Sequence, residues 1–186
     1  MRSSVISGLV CLSLSQYSEG LPQPPLLQST RAPQSQPIHA RAMLVSPLGA
    51  PIFGVIDFRS TTQTDVQVEV VMNGLDQLFP HAGHAYHIHT SAVGADGNCE
   101  AAGAHLTPNG IPDSPPCNPM TPRSCQEGDL SGKHGLLSGN QRSVHVTYTD
   151  NTLQLLPSEA GIIGRGVVVH DAKGARIACG NITRVN

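Results

Sequence analysis

His87 and His89 stand two positions apart in the stretch HAYHIHTSAVG, His84 to Gly94. In a strand, residues i and i+2 leave the same face. Both imidazoles then point one way and Ile88 the other. Neighbouring imidazoles repel when protonated, and each is costly if buried without a partner. A shared metal ion relieves both conditions. For the pair alone, two surface histidines on a strand are the more common explanation. Two further histidines shift the weighing: His105 in AAGAHLTPNG and His170 at the end of GRGVVVHD, both at edges of apolar segments. Four imidazoles suit copper, which takes nitrogen ligands readily. They also suit zinc, and residue type does not separate the two metals.

Those histidines need a scaffold, and the chain from His39 onward has the texture of one. Short runs rich in Val, Ile and Thr alternate with Gly, Asn, Asp and Pro. The runs ARAMLVS, IFGVIDFRS, VQVEVVMNG, AYHIHTS, DLSGKHGLLS, SVHVTYTD, GRGVVVHD and ARIACGNITRV read as strands. Val66, Val68 and Val70 face one way while Gln67 and Glu69 face the other, and Val144, Val146 and Tyr148 alternate likewise. Period-two alternation with regular turn punctuation predicts an all-β domain over residues 38–186, a sandwich or flattened barrel of about eight strands. In this reading His134 and His145 are sheet residues, and Tyr86 and Lys133 carry no specific signal. Two stretches fall outside the strand pattern, Thr90 to Gly128 and Asn151 to Gly164. A long stretch without regular structure is uncommon unless it is functional.

The remainder bounds the setting. A chain of 186 residues holds one domain with a tail. Residues 16–37, rich in Pro and Gln, read as a linker or pro-segment. Residues 1–15 carry one Arg, an apolar run from Val5 to Leu14, and small Ser13 and Ser15, the pattern of a signal peptide and hence of secretion. Cys11 leaves with that signal. Cys99, Cys117, Cys125 and Cys179 remain, an even number as an oxidising compartment favours, with three possible pairings. A net charge of −2 and 3% aromatics argue against nucleic acid as a partner. No apolar run reaches the ~18 residues of a membrane span. Asn181-Ile182-Thr183 is an N-glycosylation sequon.

Together, YHIHTSAVG, CEAAGAHLTPNG, GDLSGKHG, GIIGRGVVVHD and ARIACG resemble the copper/zinc superoxide dismutase family over residues 39–186. The resemblance implies an eight-stranded Greek-key β-barrel, a copper ion as cofactor and the superoxide anion as substrate. It implies His87, His89, His105 and His170 as copper ligands, with His105 also delivering protons. It implies Arg176 as the active-site arginine that guides the anion. Cys99–Cys179 matches the disulfide that ties the long loop to the last strand, which leaves Cys117–Cys125 to pair locally.

The departures from the family pattern are as informative. The family holds zinc with three histidines and an aspartate. His105 matches the bridging histidine and Asp129 the aspartate, yet no histidine lies between them, so zinc is not expected. Only DAKGA separates His170 from Arg176, where the family has a long charged loop. Both features are similar to the copper-only branch. In that branch a Glu often stands three places before the Asp; here Gln126 does, with Glu127 next to it. Asp129 first, then Glu127, is the carboxylate expected to hold the free ring nitrogen of His105. The implied function is an extracellular copper-dependent superoxide dismutase. The alternative is a copper-buffering protein on the same fold.

Overall fold

The computed structural model of the protein describes residues 36–60, 64–78 and 81–186. The proposed signal and all but the last two linker residues lie outside the described residues. The strands are β1 (His39–Val45), β2 (Phe53–Ser60), β3 (Val66–Asn73), β4 (Gly83–His84), β5 (Tyr86–Ile88), β6 (Leu137–Ser138), β7 (Ser143–Asp150), β8 (Gly166–His170) and β9 (Arg176–Arg184). Two short helices join them, α1 (Leu75–Leu78) and α2 (Leu130–His134). Seven strands form one antiparallel sheet in the order β5-β8-β9-β1-β2-β3-β7, and β4 pairs with β6 apart from it. The all-β class and the curled antiparallel sheet are those the sequence pattern predicts.

Alternation sets the core. On β3, Val66, Val68, Val70 and Met72 are buried and meet Ile56, Phe58, Ala42 and Leu44. On β5, Tyr86 and Ile88 are fully enclosed, so His87 leaves the opposite face. β5 pairs with β8 through Tyr86↔Val169, His87↔Val168 and Ile88↔Val167. β8 pairs with β9, and an irregularity after Val169 sets His170 opposite Arg176. The register thus carries three residues of chemical interest to one end of the sheet.

DLSGKHGLLS departs from its strand reading. Asp129 accepts a hydrogen bond from the Gly132 amide at 2.7 Å and so caps α2, which runs to Gly135 at φ 94°. A short acceptor side chain ahead of a turn with a glycine inside it wins over weak alternation. His134 therefore lies on a helix, stacked on Tyr148 at 3.8 Å. Lys133 is fully buried, with its ammonium 2.7 Å from Asp150 and donating to Thr152 Oγ1 at 2.6 Å and the Glu127 carbonyl at 2.8 Å. Burial pushes the Lys133 pKa down, opposed by Asp150. Burial alone would raise the Asp150 carboxyl, but His134 and Lys133 hold it well below the usual carboxylate range. This pair fastens α2 and the preceding loop to the end of β7.

The Tyr86 and Tyr148 hydroxyls meet at 3.0 Å. Burial pushes Tyr86 up to about 12 and Tyr148 well above its ordinary value. Of the three tyrosines in the chain, no more than one is therefore expected to ionise by about pH 11 in an absorbance titration of the folded protein. Folded pKa values above the unfolded ones mean stability that is present below about pH 10 and lost as pH rises toward 12. For the buried ion pair, Lys133→Met leaves the Asp150 charge without its ammonium and is expected to cost about 3–5 kcal/mol in urea unfolding. Adding Asp150→Leu to that variant should recover part of the loss.

Candidate metal centre

Four rings converge at the end of the sheet. His87 comes from β5 and His89 from the residue just beyond it, bridged to His105; His170 closes β8. One nitrogen from each of His87, His89, His105 and His170 lies within 4.8 Å of the others. His87 and His105 have ring centroids 4.0 Å apart, and His89 Nε2 is 3.4 Å from His170 Nε2.

The outer nitrogen of each ring is already engaged. His89 Nδ1 bonds the Gly103 carbonyl at 2.8 Å, and His170 Nδ1 bonds the Gly174 carbonyl at 3.0 Å. A carbonyl only accepts, so both Nδ1 atoms carry the proton and both Nε2 atoms are lone-pair donors. His87 Nε2 lies 3.1 Å from Ser131 Oγ, which donates to Asp129 Oδ1 at 3.3 Å. His87 Nδ1 is left buried and without a partner. His105 Nδ1 meets Gln126 Oε1 at 3.0 Å. One Nδ1 and three Nε2 atoms therefore face a common point.

The partner of His105 is not the expected carboxylate. Gln126 takes that place, and its amide is fixed by donating to the Ile111 carbonyl and to Asp113 Oδ1, both at 2.9 Å. Asp113 itself lies 3.5 Å from His105 Nδ1. Glu127 turns away to Asn109, and Asp129 serves α2 and the Ser131–His87 chain. The reason is geometric. The loop ahead of α2 is closed by Cys117–Cys125, and successive side chains along it point to different sides. The second disulfide is Cys99–Cys179, with Cα atoms 5.7 Å apart. Sequence reasoning missed Ser131 and Asp113, which have no signature outside the folded loop. Gln126 was visible only as a departure from the branch pattern.

Arg176 opens β9 with its guanidinium against the loop at 99–103. Nη1 donates to the Cys99 carbonyl and Nη2 to the Gly103 carbonyl, each at 2.6 Å. Burial, then the neighbouring rings, pushes His87 down to about 2. Burial pushes His89 down to about 4 against the Gly103 bond, with Arg176 adding to the fall. His170 is lowered by burial in the same way. All three shifts favour the neutral ring, the form that ligates a metal.

The family model described as copper/zinc superoxide dismutase (SODC) matches residues 52–182. The chain belongs to this family. A cell surface Cu-only superoxide dismutase of Arthroderma benhamiae is 38% identical over 104 residues, 54% of this chain and 28% of that protein. Cell surface superoxide dismutase (Cu-Zn) 6 of Candida albicans is 37% identical over 135 residues, 72% of this chain and 41% of that protein. The chain thus spans less than half the length of these two relatives. Among solved structures, Candida albicans superoxide dismutase 5, Cu(II), matches with a TM-score of 0.70 at 29% identity, covering 80% of this chain and 93% of that one.

The donor set fits the copper of this superoxide dismutase family. Four ring nitrogens are prearranged, and the orphaned His87 Nδ1 is a buried lone pair that only an ion or a donor would satisfy. Gln126→Ala frees the His105 ring and is expected to weaken copper binding about 10–100-fold in chelator competition. Gln126→Glu, which keeps an acceptor in place, should lose less.

Proposed function

We propose that this member of the superoxide dismutase family is an extracellular enzyme that disproportionates superoxide with copper and without zinc. The carrying observation is the convergence of four ring nitrogens beside a guanidinium. Two superoxide ions and two protons give dioxygen and hydrogen peroxide. Copper, held by His87, His89, His105 and His170, would supply the one-electron exchange.

The remaining work falls to the chain. Gly103, Gly174, Ser131 and Gln126 fix the four rings from outside. Arg176 has a permanent charge and draws a small anion toward the cluster. The His105 Nδ1 proton is held by Gln126, so the atom able to take up and release a proton is Nε2. The amide orients the ring as a carboxylate would but adds no charge.

Support for a zinc-free site is specific. A zinc shell needs four ligands. Gln126 occupies the outer nitrogen of His105, and Asp129 is committed to α2 and Ser131. Support for an extracellular location comes from the two disulfides, the signal-like first residues and the cell surface names of the relatives.

The test is metal analysis and superoxide removal on one preparation, before and after chelation and copper reloading. About one copper per chain, negligible zinc and activity that follows copper are expected. Tight copper without dismutation would favour buffering instead. Arg176→Ala is expected to lower the second-order rate tenfold or more, in line with the ~10–10³ range of electrostatic focusing.

A further inference from the structure

Arg176 is not an isolated cation. Glu100 lies in the 3-10 turn over Cys99–Ala102, with Oε2 3.4 Å from Arg176 Nε. The Glu100 side chain is 74% exposed and that of Arg176 17%, so the carboxylate stands on the solvent side of the guanidinium. Each terminal nitrogen of Arg176 gives one N–H to the Cys99 or the Gly103 carbonyl and keeps a second. The glutamate faces Nε. With its carboxylate in solvent, the pair contributes little to stability. Its effect is on what approaches.

We propose that Glu100 is a charge filter at the mouth of the site, tuning Arg176 to small singly charged anions, the class of superoxide, and against doubly charged ones such as sulfate or hydrogen phosphate. The inference deepens the function proposed above and rests on it for the metal and the arginine. The physical reason is scaling. Coulomb energy is proportional to the charge of the incoming anion, so any factor by which Glu100 weakens a monoanion is squared for a dianion. A unit charge roughly 6 Å away in a water-like medium changes monoanion affinity about threefold and dianion affinity about tenfold. Arg176 alone would favour the dianion by the same logic. The carboxylate offsets the arginine's share of that preference, while the positive charge of a bound copper ion stays.

The test uses the copper-loaded full chain as wild type, Glu100→Gln and Glu100→Asp. Azide is titrated by its visible charge-transfer band, and sulfate is measured by competition against azide. In Glu100→Gln, azide should bind about threefold tighter and sulfate about tenfold tighter at low ionic strength. Both factors should shrink as salt is added. Glu100→Asp keeps the charge and should stay near wild type, and the melting temperature of Glu100→Gln should not move. Equal factors for the two anions, no change, or weaker binding would overturn the filter; weaker binding would mean that Glu100 only holds the arginine in place. Dismutation is read separately. Wild type that binds both anions as stated but removes no superoxide would sink the proposed catalysis and leave the filter standing.

Discussion

The Gly103 carbonyl oxygen is the hinge of the site. It accepts the Nδ1–H of His89 at 2.8 Å and an Arg176 N–H at 2.6 Å. One atom therefore fixes the tautomer of a ligand and the position of the cation beside it. Gly103 sits at φ 76°, a region that side chains disfavour, and an added Cβ would press on Thr90 Oγ1 at 3.0 Å. The adjoining turn is locked to β9 by Cys99–Cys179. His105 follows two residues later, so any shift of this segment would move two ligands and the arginine together. Loops are the more mobile parts of most folds. Here a disulfide and a shared acceptor give one loop the rigidity of the sheet.

The centre is also arranged around a cost. Buried polar atoms without partners are unfavourable. Every outer ring nitrogen has its partner, whereas His87 Nδ1 has none. Burial, and after it the neighbouring charges, depresses the basicity of His87 and His89, so protons compete poorly for the same lone pairs. A cation that accepts four nitrogens removes both penalties at once, and the prearrangement becomes binding free energy. The neutral amide of Gln126 fits this logic, since it orients His105 without adding a charge that would make protonation easier.

How far the sequence reveals this depends on whether an interaction leaves a periodic trace. The pairing of His87 with His89 is visible because a strand alternates, and the buried valines of β3 are visible for the same reason. His105 and His170 are marked locally only by their place at the edges of apolar segments, and their role, like that of Arg176, becomes legible through family resemblance. α2 is hidden by weak alternation in a segment whose cap, Asp129, looks like an ordinary turn residue. Lys133 gives no hint of burial because its partner, Asp150, belongs to another element. The identity of the group facing His105 depends on the path of an aperiodic loop. Expectation fell on the neighbouring carboxylates, and Gln126 stood out only as a departure from the branch pattern.

β9 is the final strand of the domain in chain order, yet it is hydrogen-bonded on both sides, between β8 and β1. During translation, the earlier strands therefore emerge with a gap in the middle of their sheet. That seam can be filled only after Arg184 has left the ribosome. The sheet is consequently complete only once the whole domain has been synthesised.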